Sequence, residues 1–188
     1  MFERFTKDAR DVVTGSSEHA QRAGADAVTE EHLLLALLDQ EGTRAAFAFA
    51  SLGITDRRES VEASLADVRR RGGLTKADSD ALAELGIDVL QIVSKVESVH
   101  GEGALAVSRG PKRWWAGQRR PFAVSAKDTL VRSLRIATGR GDRRIGGEHV
   151  LLALMGKAGV VADVMGEYGV TYGAVERAMF GRGGAVAG

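Results

Sequence analysis

Apolar residues recur at helical spacing along the chain, and glycines separate the apolar segments. The first segment spans 6–24, between a threonine that can cap a helix and a glycine that ends it. The second begins at Thr29 and contains the run 33–38, which is apolar on all sides and therefore typical of a buried helix. Two more helices are predicted over about 43–52 and 56–71.

The same pattern occurs twice. When the sequence is shifted against itself by 117 positions, residues 5–38 match 122–155 with twelve identities. Unrelated sequences of average composition would give roughly two or three. The strongest match aligns Glu31-His32 with Glu148-His149. A second set of four helices is therefore predicted, and we expect the copies to pack around a pseudo-twofold axis, because neither buries enough surface alone.

The residues between the copies predict a helical hairpin, with one helix over about 75–85 and another that begins after Asp88. Its broad apolar face is expected to pack on the repeats. The sequence thus predicts an all-α fold of two pseudo-symmetric four-helix repeats. The predicted division is repeat 1 at 1–71, helical insert and basic linker at 72–121, repeat 2 at 122–180, and a flexible tail at 181–188.

The composition limits the kinds of functional site that the chain can form. The formal net charge is +1, and the absence of cysteine excludes disulfides, thiolate zinc sites and a cysteine nucleophile. The apolar runs are too short to cross a bilayer and the N-terminus has no apolar signal region, so we expect a cytoplasmic protein without membrane contact. No catalytic motif and no set of metal ligands stands out, which predicts a binding protein rather than an enzyme, with no metal and no cofactor.

A basic segment precedes the second copy and has two interpretations. One is a patch for nucleic acid, since Arg pairs with phosphate and Trp stacks on bases. The other is a solvated linker whose Trp rings fold back on the protein, and the small footprint and nearly neutral remainder of the chain favour it. The residues concerned are Lys112, Arg113, Trp114, Trp115, Arg119 and Arg120.

The opening Met-Phe-Glu-Arg-Phe-Thr and the two Glu-His motifs resemble the Clp N-terminal (Clp repeat) domain, most closely the ClpC type. That domain receives substrates and adaptors for Clp-family AAA+ unfoldases. The resemblance covers 1–70 and 121–180 and implies a non-catalytic protein-binding module of the Clp system, with Clp substrates, adaptors or an unfoldase as partners. No phosphate-binding Gly-x-x-x-x-Gly-Lys-Ser/Thr motif occurs, so we expect a free-standing version.

The resemblance also implies that Glu31 and Glu148, together with Thr6, receive phosphoarginine on marked proteins. A carboxylate can pair with the guanidinium, and amides at a helix start suit the phosphate. The alternative is that each Glu only stabilises its own helix dipole. Glu148 is the weaker candidate, because the glycines before it supply no hydroxyl and Ala123 replaces the counterpart of Thr6.

A second implied site is an apolar groove for adaptors or for cyclic peptide antibiotics that target ClpC, which would make sequestration of such peptides a further function. The alternative is core packing, especially for Val13 and Phe122. His32 and His149 are expected to be packed, hydrogen-bonded core residues. The groove residues are Phe2, Val13, Phe122 and Lys127.

Overall fold

The protein is all-helical, as predicted. The computed structural model describes residues 2–106 and 120–181, and these form ten α-helices and two short 3-10 helices, Phe2–Arg4 and Thr55–Arg57. The first repeat contains α1 (Lys7–Arg22), α2 (Glu30–Leu38), α3 (Arg44–Ser51) and α4 (Arg58–Arg70). The insert contains α5 (Lys76–Glu84) and α6 (Val89–His100). The second repeat contains α7 (Val124–Gly139), α8 (Gly147–Met155), α9 (Val160–Glu167) and α10 (Tyr172–Phe180).

Several helices begin and end at the residue types that the sequence indicated. The side chain of Thr43 accepts from the Ala46 amide at 3.1 Å, and that of Asp88 accepts from the Gln91 amide at 3.0 Å. Gly24, after α1, has a φ of +64°, and its counterpart after α7 has a φ of +77°. Both adopt the left-handed conformation that ends a helix and that glycine enters without strain.

Reciprocal backbone pairing joins the two repeats. Phe5 pairs with Ile145, and Val28 pairs with Phe122. Because Phe122 is the counterpart of Phe5 and Ile145 is the counterpart of Val28, each repeat gives the other the same contact that it receives. Such self-complementary contacts are what a twofold relation produces. The expected pseudo-symmetric packing is therefore present.

One hydrophobic core serves both repeats. The central helices α2 and α8 contact each other, and each is buried over most of its surface. Leu33 and Leu34 of α2 and Leu151 and Leu152 of α8 are fully buried in the same cluster. Burying each such side chain contributes about 1.5–3 kcal/mol. The all-round apolar run that predicted a buried helix is thus explained by a position between neighbouring helices on every side.

Among the described residues, no single helix has both the length and the apolar character needed to span a membrane. The consecutive helices α8 and α9, which meet at 90°, satisfy that test only as a pair and only by length and composition.

The insert packs on the repeats less fully than expected. Helix α6 buries Val89 and Val93, but much of the predicted apolar face is solvent-exposed. A bidentate ion pair fastens α6 to α4: Arg70 Nε lies 2.9 Å from Glu97 Oε1, and Arg70 Nη2 lies 2.6 Å from Glu97 Oε2. The exposed large apolar residues of the insert are Leu85, Ile87, Leu90, Ile92 and Val99.

This ion pair predicts an acid-sensitive attachment of the insert. The hydrogen bonds from Arg70 and from the Gly103 amide lower the pKa of Glu97 from 4.5 to about 2. Because the folded-state pKa is depressed, the stabilisation is complete above about pH 4.5 and is lost as the pH falls toward 2. The Gly103 amide, 2.9 Å from Glu97 Oε1, should therefore shift in NMR spectra with a midpoint near 2. Glu97→Gln should abolish that titration, and a midpoint at 4.5 would contradict the ion pair.

Candidate functional site

At the start of each central helix, a buried histidine accepts a hydrogen bond from a backbone amide. His32 Nδ1 accepts from the Thr29 amide at 3.0 Å, and His149 Nδ1 accepts from the Gly146 amide at 3.0 Å. Both imidazoles are almost completely buried. Each satisfies a backbone donor that the helix start leaves without an intrahelical partner. The burial and these hydrogen bonds confirm the prediction that both histidines are packed, hydrogen-bonded core residues.

Glu31 lies in the first turn of α2 with only 13% of its side chain exposed. Burial raises the pKa of this carboxyl group, and the positive charge of Arg69 opposes that rise. Arg69, on α4, places its Nε 3.2 Å from Glu31 Oε1 while 45% of its own side chain remains exposed. A carboxylate that is nearly buried is thus paired with a guanidinium that still reaches solvent.

Glu148 has the equivalent position on α8 but a different orientation. Its side chain is 14% exposed, and Oε1 lies 3.7 Å from Nη1 of Arg44, on α3 of the other repeat. The carboxylate folds back over Gly146, where a Cβ atom would come within 2.1 Å of Glu148 Oε2. Glycine is therefore required at position 146 for this orientation. In the first repeat Thr29 occupies the equivalent position, so Glu31 cannot fold back in the same way.

Thr6 lies beside the start of α8 and not beside Glu31. Its amide donates to the Ile145 carbonyl at 2.9 Å, and its hydroxyl donates to the same oxygen at 3.1 Å. Two residues later, Asp8 Oδ2 accepts from the Gly147 amide at 2.9 Å. Glu148 was expected to be the weaker candidate partly because Ala123 replaces the counterpart of Thr6. This reason was wrong, because the start of each repeat lies against the other repeat's central helix.

The same arrangement, with the two repeats exchanged, occurs at Glu31. The Ala123 amide donates to the Val28 carbonyl at 2.8 Å, which brings the start of α7 to the start of α2. Glu30 accepts from the Thr129 hydroxyl at 2.7 Å and pairs with Lys157 at 3.0 Å. Both partners belong to the second repeat. Each candidate carboxylate therefore lies in a site to which both repeats contribute.

A pocket of about 520 Å³ adjoins Glu31. Its walls come from the loop after α1, the start of α2, helices α4, α7 and α9, and the end of the insert. The residues with polar side chains on these walls are Asp26, Thr29, Glu30, Glu31, His32, Arg69 and Ser125. The pocket thus brings carboxylates, a guanidinium, an imidazole and hydroxyl groups together next to an apolar wall.

The two histidines differ at their second nitrogen. His149 Nε2 lies 3.0 Å from Asp142 Oδ2. His32 Nε2 is buried without a hydrogen-bond partner among the described residues. Burial, together with the positive charges of Arg69, His19 and Arg120, lowers the pKa of His32 from 6.5 to about 4. The difference follows from the sequence, because Ala25 aligns with Asp142.

The other predicted site residues receive uneven support. Val13 and Phe122 are partly buried against the main core, which fits the alternative of core packing, and Lys127 is exposed on α7. Of the basic linker, Arg120 donates a hydrogen bond to the Ala25 carbonyl. The groove therefore stays a prediction. The side chain of Phe2 and the residues Lys112, Arg113, Trp114, Trp115 and Arg119 lie outside the described part of the chain.

Sequence reasoning missed the arginines that pair with the two glutamates. Arg69 and Arg44 do not belong to any recognisable sequence motif. Helical periodicity predicts the helices on which they lie, but it does not predict which residues of other helices these side chains will contact. The contrast between Ala25 and Asp142 was visible in the repeat alignment and could have been noticed. Within the described ranges, no group of three or more His, Asp or Glu side chains is arranged to hold a metal ion.

Fold and site together define a helical repeat domain with paired carboxylate sites, and comparisons identify its family. The model of the "Clp repeat (R) N-terminal domain" matches residues 4–80 and 73–168. The chain belongs to this family, as the resemblance in the sequence indicated.

Relatives and a solved structure agree with this assignment. Chloroplastic chaperone protein ClpC2 of Arabidopsis thaliana is 31% identical over 90% of this chain and 13% of its own length. Chloroplastic ClpC1 of Oryza sativa subsp. japonica is 31% identical over 90% of this chain and 14% of its length. The N-terminal domain of the chaperone ClpD from Arabidopsis thaliana has the same fold, with a TM-score of 0.53, 20% identity, and coverage of 95% of this chain and 94% of that one. The chain thus spans about a seventh of the length of these curated relatives.

The orientation of Glu148 leads to a testable prediction. Gly146→Thr recreates the residue of the first repeat and should displace the Glu148 carboxylate, because the new Cβ would occupy its place. Thr and Gly are comparable at a helix N-cap, so the free energy of unfolding should change by less than about 1 kcal/mol. A crystal structure of the variant and a thermal melt would measure the two effects. An unmoved carboxylate would contradict the requirement for glycine.

Proposed function

We propose that this chain is a protein-binding module of the Clp chaperone system that recognises phosphoarginine on marked proteins through Glu31 and Glu148. The proposal depends mainly on one observation. Each of these two equivalent, largely buried carboxylates is within ion-pair distance of an arginine guanidinium from another helix. Binding, and not turnover, is the activity that such an arrangement supports.

The pair of Glu31 and Arg69 supports exchange with a ligand. An ionised carboxylate that is mostly buried requires a cationic partner, since burying an unpaired charge is costly. Arg69 provides one, but almost half of its side chain is exposed, so it can return to water at low cost. The guanidinium of a ligand arginine can then take the same place and donate two parallel hydrogen bonds to Glu31.

The phosphate favours the site at Glu31 over the one at Glu148. At Glu148, the Asp8 carboxylate already accepts from the Gly147 amide, and a phosphate would have to displace it. At Glu31, the counterpart of Asp8 is Ser125, whose hydroxyl can donate to a phosphate and whose side chain lines the pocket. The negative charge of Glu30 is offset there by Lys157. We therefore propose Glu31 as the tighter site and Glu148 as the weaker one.

Adaptors, a Clp AAA+ unfoldase and cyclic peptides that target ClpC remain candidate partners, on the strength of the family resemblance alone. Nucleic acid is a poorer candidate. The described basic residue of the linker, Arg120, bonds to a backbone carbonyl and is not extended toward solvent.

The first prediction concerns the two carboxylates. Glu31→Gln should weaken binding of an arginine-phosphorylated peptide about 10- to 100-fold, since a lost charged hydrogen bond costs about 1.5–3 kcal/mol. Glu148→Gln should have a smaller effect. Isothermal titration calorimetry at pH 7.5 measures both, with the unphosphorylated peptide as the control. An unchanged affinity in Glu31→Gln would refute the proposed site.

The second prediction concerns the internal guanidinium. Arg69→Met removes the residue that competes with the ligand and should raise affinity for the same peptide by up to about fivefold, because an ion pair whose guanidinium is partly exposed contributes about 0.2–1 kcal/mol. Arg70→Met is the matched control, since Arg70 is adjacent on α4 but pairs with Glu97 instead. Weaker binding in Arg69→Met would mean that Arg69 holds the phosphate and does not compete.

A further inference from the structure

The imidazole of His32 has a buried hydrogen-bond donor for which the described residues provide no acceptor. Its Nδ1 accepts from the Thr29 amide, so in the neutral ring the proton is on Nε2. That nitrogen is buried, with no hydrogen-bond partner in the described residues. A buried donor without an acceptor costs free energy, so we expect an acceptor from a bound molecule to pair with it.

The second repeat shows which chemical group is missing. His149 has the same fold environment and the same Nδ1 bond, and its Nε2–H donates to the Asp142 carboxylate at 3.0 Å. At the equivalent position, Ala25 provides only a methyl group. The first repeat therefore lacks a carboxylate where the second repeat has one.

A pocket adjoins His32. Both Ala25 and His32 line the pocket of about 520 Å³. The positively charged Arg69 and Arg120 both lie close enough to the ring to lower its pKa. Those charges attract an anion, and since the pKa of His32 is about 4, the ring is a neutral Nε2–H donor near pH 7.

Three acidic side chains also line this pocket, and two of them are neutralised by partners. Glu31 pairs with Arg69, and Glu30 pairs with Lys157. The third, Asp26, also takes part in an interaction. A single additional carboxylate at His32 is thus compatible with the charge of the walls.

We propose that the first repeat binds a carboxylate group of a polypeptide ligand, which accepts from His32 Nε2–H and replaces the acceptor that Ala25 cannot supply. The carboxylate is an acidic side chain or a chain terminus of the bound protein. This proposal concerns His32 and Ala25, whereas the phosphoarginine proposal concerns the carboxylate of Glu31. It does not depend on Glu31.

NMR of the four histidines in the full chain tests it directly. Long-range ¹H–¹⁵N spectra are recorded while sodium acetate replaces sodium chloride at constant ionic strength. The Nε2 resonance of His32 should shift with saturation toward that of His149, and the pKa of His32 should rise above about 4, because a carboxylate favours the charged ring. No acetate-dependent shift of His32 would overturn the proposal.

Variants in both repeats provide matched controls. Ala25→Asp should give His32 the resonance of His149 without acetate and should abolish the response. Ala25→Asn, which supplies a neutral acceptor, serves the same purpose if the Asp variant does not fold. Asp142→Ala should move His149 Nε2 to the position of acetate-free His32. An equal acetate response in the wild-type chain and in folded Ala25→Asp would show that the anion binds elsewhere and would overturn the proposal.

Two peptides then distinguish the sources of the carboxylate. One is acetylated and amidated with a single Glu side chain, and the other has a free C-terminus and no acidic side chain. The peptide that shifts His32 at lower concentration identifies the source, and failure of both contradicts the proposal. In Glu31→Gln the acetate response of His32 should persist while phosphoarginine binding is weakened, so failure of one proposal can be distinguished from failure of the other.

Discussion

The reciprocal backbone pairing between the repeats is the constraint on which the other features depend. The segment before α1 bonds to the segment before α8, and the segment before α7 bonds to the segment before α2. These contacts fix the starts of the two central helices against the opposite repeat and allow α2 and α8 to share one core. They also place the Asp8 carboxylate within hydrogen-bond distance of the Gly147 amide, and the Thr129 hydroxyl within hydrogen-bond distance of Glu30. The sites at the helix starts are therefore products of the interface between repeats.

Within this symmetric frame the two sites have diverged by small substitutions. Gly146 leaves room for Glu148 to fold back over the helix start, whereas Thr29 holds that space in the first repeat. Asp142 satisfies His149, whereas Ala25 leaves the Nε2 of His32 without an acceptor among the described residues. These differences leave the helices unchanged, since each replaces a side chain at a loop or a cap and not in the shared core. As a result, the site at Glu148 is largely filled by its own side chains, whereas the site at Glu31 adjoins a pocket.

The sequence was sufficient for the fold because the fold depends on local and periodic signals. The apolar run 33–38, the glycine stops and the 117-residue offset together predicted two four-helix repeats and the buried role of His32. Which side chains pair with the site residues depends instead on how different helices, in the same repeat or in both, pack against each other, and periodicity does not encode this. Thr6 was accordingly assigned to the wrong half, and Arg69 and Arg44 were not recognised. The weak packing of the insert was missed for the same reason, because an apolar face such as that of α6 does not indicate how much of it will be covered.

The crossing of the repeats also limits how the molecule can evolve. A change at Asp8, at the first helix of one copy, alters the surroundings of Gly147, 139 positions away in the other copy. A substitution at such a position in one copy therefore has its effect in the other. An isolated half, even if it folded, would present two incomplete halves of different sites and not one working site.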